Sequence, residues 1–144
     1  MAQLSPHITF NGNCREAFNF YKNAFGGEFA TVMTYGDVPA GENNPGTADP
    51  DKIIHISLPI SRETTLMGCD MPAAFGQANM GNNFNISVNA DSREEADRLF
   101  AALSAGGKVV MPMDNTFWGA WFGMCADPFG IQWMISYDTA QQQS

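Results

Sequence analysis

The chain has 144 residues, of which 44% are hydrophobic and 15% charged, and its formal net charge at pH 7 is −8. This composition is too apolar for a disordered protein and fits one globular domain, or two half-domains sharing a core. The negative charge argues against nucleic-acid binding and against adhesion to anionic membranes. Three widely spaced cysteines and the lack of an apolar run long enough to span a bilayer predict a soluble protein of the reducing cytoplasm.

The first half of the chain reads as a strand, a helix and three strands. The helix is expected to begin at Asn13, which forms a capping-box pattern with Glu16, and to end at Gly26 and Gly27. Residues 36–52 are rich in Gly, Pro, Asn and Asp, which predicts a long surface loop. The predicted elements are, in order, a strand at 6–11, a helix at 15–25, and strands at 28–35, 53–60 and 64–69.

The second half shows the same order of elements. Its helix begins with two overlapping capping-box patterns, Asp91 with Glu94 and Ser92 with Glu95. The predicted elements are a strand at 84–89, a helix at 92–105, and strands at 107–113, 119–126 and 131–137.

The two halves are an internal repeat. Ile8 aligns with Ile86 and Arg15 with Arg93 at one constant offset, and a Gly-Gly pair follows each helix. A repeat of this length predicts two copies of a βαβββ module, and therefore an α+β fold in which a curved mixed sheet surrounds a cleft. Module one is expected at about residues 4–70, a linker at 71–82 and module two at about 83–138. The cleft between the copies is the expected site of function.

Strand alternation divides each strand into an apolar and a polar face. The apolar sets are expected to face the helices: Ile8 and Phe10; Ile54, Ile56 and Leu58; Phe84, Ile86 and Val88; Ile131, Trp133 and Ile135. The other sets are expected to line the cleft: His7, Thr9 and Asn11; His55 and Ser57; Asn85, Ser87 and Asn89; Gln132, Met134 and Ser136. This predicts a polar lining in which the two histidines alone titrate near neutral pH.

Several short motifs of this chain resemble one known superfamily. The tandem βαβββ pattern and the run Asp127-Pro128-Phe129-Gly130-Ile131-Gln132-Trp133 are similar to the vicinal oxygen chelate superfamily, which includes glyoxalase I, bleomycin-resistance proteins, fosfomycin-resistance enzymes and extradiol dioxygenases. Four further motifs resemble its PhnB-like branch, which also carries the label 3-demethylubiquinone-9 3-methyltransferase: Asn11-Gly12-Asn13-Cys14-Arg15-Glu16-Ala17, Ile54-His55-Ile56, Leu66-Met67-Gly68 and Thr116-Phe117-Trp118-Gly119.

The resemblance also indicates where a metal ion would be bound. In the metal-using members, four strand positions converge on one divalent ion, and here they fall on His7, Met67, Asn85 and Met134, with Met67 and Met134 as repeat partners. A thioether is a soft donor and a poor ligand for the hard or borderline ions of this group. The sequence therefore predicts no metal site and no cofactor.

Three functional classes follow from the resemblance. The first is a metal-dependent lyase, isomerase or dioxygenase, against which the ligand positions argue. The second is a metal-free protein that either sequesters a small molecule or performs acid–base chemistry with His7 and His55. The third is a methyltransferase, which we reject as chemistry because the chain has neither a Gly-rich loop nor a doubly wound sheet. The sequence leaves binder and enzyme open within the second class.

The predicted ligand contacts combine the cleft positions with a loop and two aromatic residues. They are His7, Thr9, His55, Ser57, Met67, Asn85, Ser87, Phe117, Trp118, Gln132 and Met134, with the loop at residues 36–52 and Phe117-Trp118 closing the site. Several of these side chains, and two of their neighbours, have a plainer interpretation: His7 as a solvated edge residue, His55 as a structural histidine, Phe117, Trp118 and Trp121 as core or interface, Met67 and Met134 as wall residues, and Cys69 as an inert thiol. The 17 aromatic residues and the resemblance predict a homodimer.

Overall fold

Two four-stranded mixed sheets, each accompanied by one helix, make up the structure. The computed structural model describes residue 2 and residues 4–37, 50–72 and 75–138, so most of the predicted loop at 36–52 lies outside the described residues. Contacts divide the chain into two units, Met1–Asn79 and Met80–Ser144, which we call module one and module two. The predicted α+β fold with two βαβββ modules is confirmed.

Module one places its first and last strands side by side. Its elements are β1 (His7–Phe10), α1 (Cys14–Phe25), β2 (Thr31–Thr34), β3 (Ile53–Pro59) and β4 (Thr65–Asp70), with a 3-10 turn at Tyr35–Asp37. The strand order is β1-β4-β3-β2. Strands β1 and β4 are parallel and the other pairs antiparallel.

The apolar stripe of α1 covers one face of this sheet. Phe10 of β1 meets Phe18 of the helix edge to face, with ring centroids 6.1 Å apart. Gly68 of β4 lies directly beneath this helix, because a Cβ atom there would stand 2.6 Å from the Phe18 ring. The core of module one consists of Ile8, Phe10, Cys14, Ala17, Phe18, Tyr21, Ala24, Tyr35, Ile53, Ile56, Leu58 and Leu66.

A β-bulge shifts the start of β3 by one position. Thr34 pairs with Ile53 and Met33 pairs with His55, which leaves Ile54 as the extra residue of the bulge. Consequently Ile53 is fully buried, whereas Ile54, which alternation had placed in the core, is only half-buried.

The backbone N–H groups at the start of α1 donate their hydrogen bonds to a residue from the other end of the module. Asn13 makes no side-chain capping bond, so the predicted capping box with Glu16 is wrong. Instead the buried carboxylate of Asp70 accepts hydrogen bonds from the backbone N–H groups of Gly12 (3.0 Å), Cys14 (2.9 Å) and Ile53 (2.9 Å). A single carboxylate thus joins the helix start to strands β3 and β4.

Module two repeats the arrangement. Its elements are β5 (Ile86–Asn89), α2 (Arg93–Ser104), β6 (Lys108–Asn115), β7 (Ala120–Ala126) and β8 (Gln132–Asp138), in the order β5-β8-β7-β6. The pair β5–β8 is parallel, and β6 and β7 are antiparallel to their neighbours along the sheet.

The second helix begins with its own local cap. Ser92 Oγ accepts a hydrogen bond from the Glu95 N–H (3.1 Å), and Glu95 Oε1 accepts one from the Asp91 N–H (2.8 Å), which confirms the predicted Ser92–Glu95 pattern. One apolar assignment in module two was wrong: Phe84 is 68% exposed, because β5 begins only at Ile86. No helix among the described residues is long and apolar enough to cross a membrane.

Candidate functional site

The sheet of module one has one face that α1 does not cover, which we call open face one. Gly68 points toward the helix, and it pairs with Ile8 and Ile56 on the same side. The adjacent positions must therefore point to the opposite side. His7, Met67 and Ser57 form one row of cross-strand neighbours there.

The two histidines of the chain lie together on open face one. Their ring centroids are 6.4 Å apart and their planes are inclined by 26°. Burial lowers the pKa of His7 below its usual value, and the nearby charge of a protonated His55 lowers it further, against a smaller opposite effect of a backbone hydrogen bond. His7 is therefore a neutral imidazole near pH 7, able to accept a proton or donate a hydrogen bond.

The next row of open face one contains a thiol. Thr9 Oγ1 and Cys69 Sγ lie 3.9 Å apart, within reach of a weak hydrogen bond. Burial raises the pKa of the Cys69 thiol, which keeps it protonated and poorly nucleophilic. Cys14 and Cys125 are buried, and burial raises the pKa of Cys125 to about 11. All three cysteines are free thiols, and none is activated.

Module two has a corresponding uncovered face, which we call open face two. A Cβ atom on Gly123 would stand 2.8 Å from the Phe100 ring of α2, so Gly123 and its partner Ile135 point toward the helix. Met124 and Met134, one position along each strand, therefore point away from it, and they are cross-strand partners.

Amides and a hydroxyl lie at the β5–β8 side of open face two. Ser87 pairs with Met134, and Ile86 pairs with Trp133. Asn85 comes directly before Ile86, and Gln132 comes directly before Trp133. The Asn85 Oδ1 atom is buried and has no hydrogen-bond partner among the residues that the structure describes. Such an oxygen costs about 1–3 kcal/mol unless a donor reaches it.

The register also corrects one equivalence between the modules. His7 pairs with Met67 and Thr9 with Cys69, whereas Asn85 lies across from Gln132, and Ser87 pairs with Met134. Because His7 aligns with Asn85, the structural counterpart of Met67 is Gln132, and that of Met134 is Cys69. The sequence motif had paired Met67 with Met134, and the cross-strand register shows that this was wrong.

Two of the aromatic residues near the β6–β7 turn are open to solvent. Phe117 is 98% and Trp118 59% exposed. Trp118 meets Phe122 of open face two, with ring centroids 5.9 Å apart. Trp121 belongs to the other side: its Nε1 donates to Asp97 Oδ1 of α2 (2.7 Å), and the Arg93 guanidinium lies 3.8 Å from its ring centroid.

The predicted contact residues are thus distributed over both open faces. Open face one carries His7, Thr9, His55, Ser57 and Met67, and open face two carries Asn85, Ser87, Gln132 and Met134, with Trp118 at its margin and Phe117 beside Trp118. Phe122, Met124 and Met111 also lie on open face two and were missed. Alternation along β7 indicates the first two, whereas Met111 depends on register shifts in β6 that no sequence pattern shows.

The donor set is a poor one for a divalent metal ion. Within the described part of the chain, no three histidine, cysteine or acidic side chains are grouped so that they could hold a metal. The positions expected from the resemblance offer one imidazole, one amide and two thioethers, and the structural counterparts add an amide and a protonated thiol. Nickel, zinc, iron and manganese sites in proteins use imidazole, carboxylate or thiolate ligands in greater number.

Three comparisons with known proteins bear on this arrangement. The family model of the Glyoxalase/Bleomycin resistance protein/Dioxygenase superfamily matches residues 5–135. The protein YjdN of Escherichia coli is 34% identical over 140 residues, covering 92% of this chain and 93% of YjdN.

Solved structures give the same result. The crystal structure of PA1353 from Pseudomonas aeruginosa superposes with a TM-score of 0.83 at 40% identity, covering 96% of this chain and 98% of that one. A Bacillus cereus PhnB protein, labelled as a 3-demethylubiquinone-9 3-methyltransferase, superposes with a TM-score of 0.73 at 23% identity, covering 94% and 99%. The second likeness concerns the fold alone.

Proposed function

The chain belongs to the Glyoxalase/Bleomycin resistance protein/Dioxygenase superfamily, and from this premise we propose that it binds a small organic molecule without a divalent metal ion. The carrying observation is the position of the polar side chains. In each module they lie on the one sheet face that the helix leaves uncovered, as His7 and His55 do on open face one. Convergent polar groups on an uncovered face are the usual basis of a ligand site.

The side chains at the four expected ligand positions do not favour the metal-dependent chemistry of the superfamily. Catalysis by a bound metal requires ligands that hold the ion and leave a coordination position open. Met67 and Met134 offer thioethers where hard donors would be needed, and Asn85 offers a weakly binding amide. The binding groups in our proposal are therefore the side chains themselves.

Metal-free acid–base chemistry is a second candidate, supported by one observation. The lowered pKa of His7 leaves its imidazole neutral near pH 7, with His55 close enough to share a substrate's proton. Binder and enzyme differ in what happens to the bound compound. A binder returns it unchanged, whereas an enzyme converts it and loses that conversion in His7→Gln.

We do not extend the methyltransferase label of the Bacillus cereus protein to this chain. Methyl transfer from S-adenosylmethionine normally uses a Gly-rich loop on a doubly wound parallel sheet, and two βαβββ modules provide neither. Within the superfamily we place the chain beside YjdN and PA1353, and we propose the PhnB-like branch from its motifs. The three free thiols support a cytoplasmic location.

We also propose that the chain acts as a homodimer. Strand β6 is the last strand of its sheet, and among the described strands β7 alone pairs with it. Val109 and Val110 on this strand are 48% and 51% exposed. Apolar side chains on an unpaired edge promote association unless another surface covers them, and a second copy of the chain is the occupant we propose.

The test of the binding proposal is a thermal-shift screen of a small-molecule panel with three proteins: wild type, His55→Gln and the control Glu63→Gln in an exposed turn. We expect compounds that raise the melting temperature of wild type and control, with a shift that is reduced in His55→Gln. Unchanged stability of ligand-free His55→Ala would separate this role from a structural one. Equal shifts in all three proteins, or no stabilising compound, would contradict the involvement of His55.

A further inference from the structure

Three methionines form a continuous row across open face two, which we call the methionine row. Met111 of β6 pairs with Met124 of β7, and Met124 pairs with Met134 of β8. Their side chains share the face opposite α2. Met111 is 47% exposed. The row is thus a polarisable apolar surface three strands wide.

The row owes its third member to irregular pairing in β6. Register shifts between Val109 and Met111 and between Met111 and Asp114 place Met111 opposite Met124. Met113, only two residues further on, lies on the helix side instead, because its sulfur approaches the position of a Gly123 Cβ. Met113 therefore offers a matched control for each methionine of the row.

The surroundings of the row differ on its two sides. Two residues along β7 from Met124 lies Phe122, against which Trp118 packs edge to face. In the other direction, Gln132 lies two residues from Met134 along β8, and Asn85 lies just before β5. The buried Oδ1 atom of Asn85 has no donor within the described part of the chain. The apolar row is therefore bordered on one side by the Phe122 and Trp118 rings, with Asp114 and Ser136 as the cross-strand neighbours of Phe122, and on the other side by amides.

The strand spacings give the size of this surface. Two residues along a strand span about 7 Å, so the distance from the amides to Phe122 is about 14 Å. Three strand spacings from β5 to β6 likewise give about 14 Å. A flat molecule of two fused rings fits within these limits.

From these observations we infer that open face two binds a planar aromatic ligand of two fused rings that bears an N–H donor. The ring system lies on the methionine row with its edge toward Trp118 and Phe122, because thioether sulfur and aromatic rings attract one another. The N–H group donates to Asn85 Oδ1. The chain carries a net charge of −8, which favours a neutral or cationic ligand over an anionic one. This inference rests on the proposed small-molecule function and names the class of ligand.

The probe is naphthalene-2-carboxamide, compared with two close analogues. Decahydronaphthalene-2-carboxamide keeps the amide and the hydrocarbon bulk but has no aromatic ring. The N,N-dimethyl derivative of naphthalene-2-carboxamide keeps the rings but has no N–H donor. Binding is followed by NMR of protein labelled with 13C in its methionine methyl groups, of which the chain has nine. Single Met→Leu variants assign the signals.

We expect naphthalene-2-carboxamide to shift the methyl signals of Met111, Met124 and Met134 by ring currents, and to leave that of Met113 in place. Met124→Leu and Met134→Leu should weaken binding roughly 2- to 10-fold, whereas Met113→Leu should not change it. Both analogues should bind more weakly than the probe, and Asn85→Leu should abolish the difference between the probe and its dimethyl derivative.

Other outcomes would overturn the inference in distinguishable ways. Shifts confined to Met67 would place the aromatic ligand on open face one, and would leave the proposed binding function standing. Equal binding of the saturated analogue would remove the aromatic requirement. No methionine shift at millimolar probe would refute this ligand class, while the panel screen with His55→Gln still decides the proposed function separately.

Discussion

The imidazole rings of His7 and His55 lie 6.4 Å apart on one face of the first sheet, although the two residues belong to strands that do not pair with each other. Strand β4 lies between them and contributes Met67 to the same face. His55 thus influences the protonation of His7, and this relationship can be measured directly.

We expect His7 to titrate below 6.5 in an NMR pH titration of the folded protein, because burial disfavours its charged form and His55 repels the added charge. In His55→Gln the midpoint of His7 should rise but stay below 6.5, since burial is the larger cause. The unfolded chain accepts this proton more readily, so His7 disfavours the folded state as the pH falls below about 6.5. A midpoint of His7 that is unmoved by His55→Gln would contradict the coupling.

The buried carboxylate of Asp70 should be among the groups whose loss most destabilises module one. In Asp70→Asn, the side chain keeps one acceptor oxygen for the N–H groups of Gly12, Cys14 and Ile53, and its NH₂ group faces a donor. We expect the free energy of unfolding to fall by about 2–4 kcal/mol in urea denaturation. Glu63→Gln, in an exposed turn, serves as the control, and an equal effect of both substitutions would argue against this role.

Gly68 and Gly123 should both resist replacement by alanine. A methyl group on Gly68 would meet the Phe18 ring at 2.6 Å and the Ile8 carbonyl oxygen at 2.9 Å, and one on Gly123 would meet the Met113 sulfur at 2.5 Å. We expect each substitution to cost about 1–3 kcal/mol. Gly68→Ala should cost more, because the backbone of Ile8 cannot move aside as the Met113 side chain can.

Gly81→Ala is the matched control for these two variants. Among the described residues, its new methyl group would meet the Asn83 Oδ1 atom alone, at 3.6 Å. We expect a change within about 0.5 kcal/mol. Comparable losses at all three glycines would show that contact with the helices does not decide the cost.

We expect no stoichiometric divalent metal in protein purified without chelators. Elemental analysis should show well under one equivalent, and nickel, zinc or manganese should not raise the melting temperature. His7→Gln should have the same metal content as wild type. One equivalent of metal that is lost in His7→Gln would overturn our reading of the ligand positions and revive the metal-dependent enzyme.

The homodimer is tested by sedimentation at micromolar concentration. We expect twice the 15.7 kDa of one chain, and dissociation when Val110 on the edge strand is replaced by lysine. The exposed Phe84, replaced in the same way, is the control, because it lies outside β6. A wild-type mass near 15.7 kDa would exclude the dimer.

The sequence predicts those features that depend on near neighbours. The helix of module two was placed correctly because Ser92 and Glu95 are close in the chain, and the facing of Ile8 and Phe10 follows from simple alternation. The sequence-based predictions were wrong where contacts between distant segments determine the local structure. The cap of α1 comes from Asp70, and the buried start of β3 depends on a bulge against β2.

The candidate site shows the same division. Alternation placed His7 and His55 on one face, and the structure brings their rings together. The pairing of Met67 with Met134 was inferred from a motif, and it failed because equivalence between modules depends on cross-strand register. The position of Met111 depends on two register shifts in β6, which arise from the pairing of whole strands and not from local composition.

The two helices begin under different conditions during synthesis. The α2 start needs only Asp91, Ser92 and Glu95, so it is complete as soon as that turn has been made. The α1 start needs the Asp70 carboxylate, and the loop between them must close before the N–H groups of Gly12 and Cys14 find their acceptor. The start of the helix in module one therefore depends on a contact between residues far apart in the sequence, Asp70 with Gly12 and Cys14. We therefore expect module one to complete its helix start only after β4 has left the ribosome, although its helix is made first.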